Sequence, residues 1–255
     1  MDIQEDLKVK SLAKAMRILE CFSVDEPELG ISRIAEMLEL NKSNVHNILS
    51  TLMQMGYIEQ KESGKYCLGL KMLQYSFIVN EHLGYPRAVY DVLQDISWRC
   101  GEIVYFGIPY RDMVLYLYVI HPRARLSVMP YREILGETAP MYCTGIGKAM
   151  LSAFSEEEWP DRITKDRKPY TAQTVTDYDQ IITDLHVCKE RGYAIDDSGR
   201  EPGLRCVGVP VYNSHGKLIA GTSISGPMAN FTDKKIQEFA GILQDAAFRM
   251  RERLY

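Results

Sequence analysis

The 255-residue sequence lacks the features of membrane-spanning and disulfide-stabilised proteins. It contains no run of eighteen apolar residues, and its first ten residues, MDIQEDLKVK, are polar and acidic where a secretory signal would be basic and then apolar. Six cysteines are scattered without a C-x-x-C pair, which excludes a zinc finger and gives no disulfide framework. We therefore expect a cytoplasmic protein without membrane contact, whose cysteines are mostly small buried residues.

Motifs for catalysis and metal binding are also absent. The five histidines form no H-x-x-x-H pair, and the stretch Gly145 to Lys148 lacks the spacing of a phosphate-binding loop. The segment from Gly221 to Ser225 resembles a nucleophile elbow, but no strand-to-helix corner follows it. We therefore expect neither an enzyme nor a bound metal or cofactor.

The chain has no overall excess of basic residues. Its net charge is −4, and residues 1–80 hold 9 Lys and Arg against 11 Asp and Glu. Between Leu40 and Met72, however, there are four lysines and only two acidic residues. A nucleic-acid surface there would bind phosphate modestly and would depend on base contacts and on paired half-sites.

Residues 31–56 contain two short amphipathic segments separated by a polar turn. Ile31, Ile34, Ala35 and Leu38 repeat with helical spacing, and so do Val45, Ile48, Leu49, Leu52 and Met55. The second helix leaves a small polar and basic face outward, which consists of Lys42, Ser43, Asn44, His46 and Asn47. Such side chains can hydrogen-bond base edges and phosphates. The alternative is an ordinary helical hairpin with a solvated face.

The following residues predict a β-hairpin. Gly56 can end the helix, and YIEQK and KYCLG flank the turn Glu62-Ser63-Gly64, with Lys61 and Lys65 near the tip. Upstream, Ser11 can cap a first helix whose buried stripe would be Leu12, Ala15, Met16 and Leu19. Three helices and a hairpin indicate a winged helix-turn-helix domain over 9–69, which would place one helix in the DNA major groove.

The remaining chain indicates a linker helix and a second domain. Residues 70–84 are predicted as the linker helix, with Leu70, Leu73, Phe77 and Ile78 on one side. In residues 85–255, helices alternate with strand-like runs without βαβ spacing, which indicates an α+β domain with an antiparallel sheet.

Small polar groups of this second domain suggest a binding pocket. Ser223 and Ser225 alternate along one strand and share a face, and the glycine-bearing turn at Gly145 starts a helix whose amides favour an anion. The alternative is that the serines lie on the solvated side of the strand, that Cys206 belongs to the core, and that Asp196 and Asp197 form a turn.

The whole chain resembles the IclR family of bacterial transcriptional regulators over about residues 9–252. The likeness is carried by SLAKAMRILECF, by the winged helix through KYCLGLKML, by APMYCTGIGKAMLSAFSEEEW, and by the long segment from TDYDQIITDL to AGTSISGP. The resemblance implies a GAF-like effector domain with a six-stranded sheet, dimers through the DNA-binding domains and often tetramers. It also implies an effector cradle in which the amides of Gly145 and Ile146, the serine pair Ser223 and Ser225, and Asp196 and Cys206 hold a small carboxylate.

Large adaptable side chains are expected to form the walls of that cradle. They are Tyr105, Tyr116, Tyr118, Met129, Met141 and Cys143, and they favour an aromatic or otherwise bulky acid. We therefore predict a ligand-responsive, homo-oligomeric DNA-binding regulator, either repressor or activator, that binds operator DNA and a small carboxylate. The alternative is a thiol-redox-responsive regulator of the same fold, in which Cys143 and Cys206 respond to oxidation.

Overall fold

The computed structural model describes residues 8–122 and 136–254. The chain divides between Leu83 and Gly84 into two compact units, here called the N-terminal and the C-terminal unit. None of the helices in the described ranges is both long and apolar enough to cross a lipid bilayer.

The N-terminal unit is a winged helix-turn-helix, as predicted. Its elements are α1 (Lys10–Glu20), α2 (Ile31–Leu38), α3 (Lys42–Gln54), β1 (Ile58–Gln60), β2 (Tyr66–Leu68) and α4 (Lys71–Leu83). The predicted stripes of α2 and α3 supply the core, in which Ile34, Val45 and Leu49 are fully buried together with Ile18 of α1. Helical periodicity therefore identified the buried side of α2 and α3, except that Met55, the C-cap of α3, is 50% exposed.

The ends of α3 are fixed by local hydrogen bonds. At its start, the Asn41 side chain accepts a hydrogen bond from the Asn44 amide at 2.8 Å, which satisfies an amide with no partner in the helix. At its end, Gly56 has φ of 81°, and the amides of Gly56 and Tyr57 donate to the carbonyls of Met53 and Leu52, both at 2.9 Å. This Schellman pattern confirms Gly56 as the residue that ends the helix.

The prediction for α1 was wrong in two respects. The helix begins at Lys10 after Val9, without a side-chain cap, so Ser11 lies inside the helix. Leu12 and Met16 are 60% and 50% exposed, whereas Ile18 is fully buried. At about 100° per residue, Leu12 and Met16 are turned roughly 120° and 160° away from Ile18. Because α1 contacts the core through Ile18 and in part through Leu19, Leu12 and Met16 of the predicted stripe lie on the surface, while Ala15 and Leu19 are half-buried.

The C-terminal unit is an α+β domain around a six-stranded antiparallel sheet, as predicted. Its helices are α5 (Tyr85–Cys100), α6 (Gly145–Ala153), α7 (Trp159–Arg162), α8 (Tyr178–Arg191) and α9 (Asp233–Arg251). Its strands are β3 (Ile103–Tyr110), β4 (Met113–Ile120), β5 (Thr138–Pro140), β6 (Ala194–Asp197), β7 (Leu204–Tyr212) and β8 (Leu218–Pro227). Their order across the sheet is β5-β4-β3-β8-β7-β6.

Helix α6 lies directly on the backbone of the sheet. A Cβ atom at Gly208 of β7 would lie 2.5 Å from the Gly145 carbonyl oxygen, and one at Gly221 of β8 would lie 2.9 Å from the Ile146 side chain. The missing side chains at both positions make room for the helix. The start of α6 is thereby held close to β7 and β8.

A β-bulge in β4 places two neighbouring tyrosines on opposite faces of the sheet. Phe106 pairs with Tyr118 and Gly107 with Tyr116, so β4 has one extra residue there. Tyr116 contacts Tyr105, with ring centroids 5.6 Å apart, whereas Tyr118 packs against Phe106 and against Tyr90 of α5. The expectation that Tyr118 shares a wall with Tyr116 was therefore wrong, because the bulge interrupts the alternation of side chains.

Candidate functional site

The polar residues predicted on α3 lie outside its buried stripe. Lys42, Ser43, His46 and Asn47 are exposed, and Asn44 is half-buried. The Ser43 hydroxyl donates to the Asn41 side chain at 3.2 Å, so it also supports the start of the helix. This face presents hydrogen-bonding groups and one lysine to solvent, as a helix that enters a major groove requires.

The hairpin places Lys61 and Lys65 together at its tip. The Lys61 amide donates to the Lys65 carbonyl at 2.8 Å, and Gly64 closes the turn with φ of 78°. The hairpin is tied to the core next to its turn, because the Leu29 amide donates to the Tyr66 carbonyl at 2.9 Å. Both lysines are exposed and suited to phosphate contact.

A cavity of about 60 Å³ lies in the C-terminal unit, between the start of α6 and strands β7 and β8. All six residues predicted for the cradle line it: Gly145, Ile146, Asp196, Cys206, Ser223 and Ser225. Tyr105 and Tyr116, two of the expected wall residues, line it as well. Residues far apart in the sequence therefore meet at one site.

The start of α6 supplies hydrogen-bond donors to this cavity. The Thr144 hydroxyl caps the helix by accepting from the Gly147 amide at 3.1 Å. The amides of Gly145 and Ile146 belong to the first turn of the helix, where an N–H group has no carbonyl partner within the helix. Two donors at the positive end of a helix dipole favour an anion.

The two serines face the cavity from the sheet. Ser223 and Ser225 of β8 are 2% and 5% exposed, so the interpretation that they lie on a solvated side is wrong. The Ser225 Oγ lies 2.7 Å from Cys206 Sγ, across the β7–β8 pair. Within the described residues, the Ser223 hydroxyl has no hydrogen-bond partner. Ser223 is thus a buried hydroxyl available to a ligand.

Asp196 is held by a buried lysine that the sequence analysis did not identify. Lys148 of α6 is 8% exposed, and its Nζ lies 3.1 Å from an Asp184 oxygen and 3.3 Å from an Asp196 oxygen. Burial lowers the pKa of Lys148, but the attraction of Asp196 and Asp184 outweighs burial and holds that pKa above its ordinary value. A lysine in the otherwise apolar stretch GIGKAMLSA was the available signal.

Some predicted residues lie elsewhere, and some cavity residues were not predicted. Met141 is fully buried in the core and Cys143 lines a neighbouring polar cavity, so neither lines this cavity; Met129 lies outside the described residues. The additional lining residues are Thr144, Arg200, Glu201 and Leu204. Thr144 is the N-cap of α6, whereas the positions of Arg200, Glu201 and Leu204 depend on the turn between β6 and β7, for which the sequence offered no pattern.

The two thiols near the cavity do not have the properties that a redox switch requires. Burial raises the pKa of Cys143 to about 12 and that of Cys206 to about 12, and the Asp196 carboxylate adds to both shifts. The thiol-redox alternative assumed a thiol pKa lowered by the helix start, and the shift has the opposite direction. Because the thiolate is the reactive form, these thiols are poorly reactive at neutral pH.

Metal binding finds no support in the part of the chain that the structure describes. There, no three His, Cys, Asp or Glu side chains are arranged to hold an ion. One of the histidines, His186, lies on the surface beside Glu156 at 3.2 Å.

Comparison with known proteins gives the same two-part organisation. Residues 11–62 match the IclR helix-turn-helix domain, and residues 82–251 match the family described as bacterial transcriptional regulator IclR C-terminal. The chain is 31% identical to the HTH-type transcriptional regulator KdgR of Escherichia coli (strain K12), over 97% of this chain and 93% of that protein.

Solved structures share the fold. The crystal structure of the Thermotoga maritima IclR has a TM-score of 0.75 and 29% identity, and covers 96% of this chain and 98% of that one. An IclR homolog from Microbacterium hydrocarbonoxydans, complexed with 4-hydroxybenzoate, has a TM-score of 0.82 and 21% identity, over 94% of this chain and 97% of that one. The relatives are transcriptional regulators, which confirms the expectation that the chain is not an enzyme. This chain belongs to the IclR family of transcriptional regulators, with an N-terminal DNA-binding domain and a C-terminal effector domain.

Proposed function

We propose that the cavity beside α6 binds a small organic acid and that binding modulates the affinity of the N-terminal unit for operator DNA. The observation that carries the proposal is the set of donors around the cavity: two amides at the start of α6 and the buried hydroxyls of Ser223 and Ser225. A carboxylate can accept hydrogen bonds from all of them. Neutral apolar ligands would leave these donors without partners, at a cost in binding free energy.

The cavity walls favour a compact acid with an apolar or aromatic body. The rings of Tyr105 and Tyr116 meet edge to face and line the cavity, where they can contact the body of the acid. The Microbacterium homolog bound to 4-hydroxybenzoate supports an aromatic acid as one candidate class. The ligand panel should therefore contain single-ring aromatic acids beside short aliphatic keto acids.

A homodimer or homotetramer is the functional form in this proposal. In the N-terminal unit, α4 has no buried residue, and its apolar side chains Leu73, Phe77, Ile78 and Val79 are 57% to 66% exposed. Leu12 and Met16 of α1 are exposed as well. Apolar surface of this extent is typical of an interface, and a second copy would align two recognition helices on paired half-sites.

Helix α4 connects effector binding to the wing. Its start is fixed to the winged helix, because the Tyr57 and Tyr75 hydroxyls lie 2.9 Å apart and Lys71 donates to the Met55 carbonyl at 3.0 Å. A ligand that prefers one arrangement of the C-terminal units would therefore change the spacing of the paired wings. A preference of about 1 to 3 kcal/mol is enough for regulation.

Removal of either cavity serine should weaken effector binding without affecting DNA binding. The test ligand is an acid that raises the Tm of the wild-type protein. We expect it to bind Ser223→Ala and Ser225→Ala roughly 10- to 100-fold more weakly, because each variant loses one hydrogen bond to a charged group. Ser152→Ala is the matched control, because Ser152 is buried but bonds the Ala149 carbonyl away from the cavity. Equal affinity of all four proteins for the acid would refute the cradle.

Substitutions on α3 and on the hairpin should affect DNA binding in two different ways. Asn47→Ala should weaken binding to an operator selected from random DNA by about 1 to 3 kcal/mol, and should relax sequence preference. Lys65→Ala should weaken binding to all sequences and reduce the slope of log K against log salt by about one. Fluorescence anisotropy over a salt series measures both. An unchanged sequence preference in Asn47→Ala would argue against base contact by this residue.

A further inference from the structure

Arg200 follows a turn at the cavity that is held in place by hydrogen bonds. The Gly199 amide donates to an Asp196 oxygen at 3.0 Å, and Ser198 has φ of 56°. Two threonines hold this turn from outside: Thr171 donates to the Ser198 carbonyl at 2.6 Å, and Thr174 to the Gly199 carbonyl at 2.7 Å. The backbone that precedes Arg200 is therefore fixed at both peptide carbonyls, and the Arg200 side chain starts from a defined position.

The Arg200 guanidinium lies against the ring of Tyr170, with its central carbon 3.9 Å from the ring centroid. Two other arginines that lie over rings also have polar partners: Arg162 lies 3.5 Å from Glu158, and Arg167 donates to the Thr176 carbonyl at 2.7 Å. In the described part of the chain, Arg200 has no hydrogen bond and no carboxylate within 4 Å. A stacked guanidinium keeps its N–H edge free for a carboxylate.

The cavity has two poles that can bind an anion. The first pole consists of the α6 amides and the serines on the sheet, and the Arg200 guanidinium forms the second. Of the two acidic residues that line the cavity, Asp196 is paired with Lys148, and Glu201 is exposed, so its charge is screened by water. A ligand with one carboxylate would use the first pole and leave the guanidinium without a partner.

We propose that Arg200 determines effector specificity and that the effector is a dicarboxylic acid, whose second carboxylate pairs with the Arg200 guanidinium. The proposal rests on the proposed function of the cavity as an acid-binding site. The cradle at α6 orients one carboxylate, the tyrosine rings contact the body of the acid, and Arg200 selects for the second charge. Charge-assisted pairing of a guanidinium and a carboxylate is strong and geometrically specific.

Two pairs of acids, in each of which a methyl group replaces the second carboxylate on the same carbon skeleton, test this inference. 2-Oxoglutarate is compared with 2-oxopentanoate, and isophthalate with 3-methylbenzoate, by titration calorimetry on the full-length protein. In the wild type we expect at least one diacid to bind about 10- to 100-fold more tightly than its monoacid partner. In Arg200→Gln that preference should disappear through loss of diacid affinity, with the monoacid affinity changed less than about threefold. Arg162→Gln, a stacked arginine away from the cavity, should keep the preference.

Three other results would overturn the inference in distinguishable ways. If a monoacid binds as tightly as its diacid partner, the second carboxylate has no role while the acid-binding function stands. If Arg200→Gln weakens both members of a pair equally, Arg200 supports the cavity without selecting charge. If neither wild type nor variants bind any of the four acids, and the serine variants behave identically, the proposed function fails together with this inference.

Discussion

Lys148→Met is expected to destabilise the C-terminal unit by about 3 to 5 kcal/mol, because it leaves the Asp196 carboxylate buried without its counter-charge. The Lys148 ammonium is nearly inaccessible and lies within 3.3 Å of oxygens from two aspartates. Methionine fills most of the volume of the lysine stem but offers no charge. The free energy of unfolding in urea measures the loss.

The tryptophans make this measurement specific to one unit. The chain has two, Trp98 and Trp159, and both belong to the C-terminal unit. Tryptophan fluorescence therefore follows the unfolding of that unit without a contribution from the winged helix.

Two controls separate the loss of a buried pair from the loss of any lysine. Lys235→Met removes an exposed partner of Glu238, a contact at 2.9 Å, and should cost less than about 1 kcal/mol. The double variant Lys148→Met, Asp196→Leu should be more stable than Lys148→Met alone, because no buried carboxylate remains unpaired.

The pH dependence gives a further check. Burial raises the pKa of Asp196, and Lys148 opposes this shift. Without Lys148 that pKa should rise further, so the destabilisation should shrink as pH falls and Asp196 takes up a proton. A destabilisation equal to that of Lys235→Met at neutral pH would contradict the importance of the buried pair.

Gly208→Ala is expected to abolish effector binding and to destabilise the C-terminal unit by about 1 to 3 kcal/mol, the typical cost of overpacking. The added Cβ would lie 2.5 Å from the Gly145 carbonyl oxygen and 2.9 Å from the Ile146 amide nitrogen. Both are backbone atoms, so no side-chain rotation relieves the overlap. Helix α6 must move away from β7, and the two amides that face the cavity move with it.

A second glycine variant provides a control of opposite sign. Gly241 lies in the interior of α9, and a Cβ there would meet no atom within 4 Å. Gly241→Ala should therefore stabilise the protein by about 0.5 to 1 kcal/mol, since alanine favours helix more than glycine does. Thermal unfolding and titration with the acid identified in the panel measure both variants. Retention of full effector affinity in Gly208→Ala would show that the position of α6 is not critical.

Sequence patterns located most of the candidate site but not the contacts that support it. The glycine-bearing turn at Gly145 and the alternation of Ser223 and Ser225 were both visible, and the resemblance to the family supplied Asp196 and Cys206. The pairing of Lys148 with Asp184 and Asp196 was missed, because its partners lie 36 and 48 positions away and carry no joint pattern. Arg200 was missed for the same reason, since a charged residue in a turn is usually solvated.

The sequence by itself determined the winged helix, the end of α3 at Gly56 and the α+β class of the second domain. These depend on helical periodicity, on capping residues and on glycines with positive φ, all of which act within a few residues. Only the tertiary structure decided that Tyr118 faces away from the cavity, that Leu12 and Met16 stay exposed and that Cys206 is held by burial as a neutral thiol. Bulges, helix orientation and desolvation arise from contacts between distant segments, so a local sequence pattern does not indicate them.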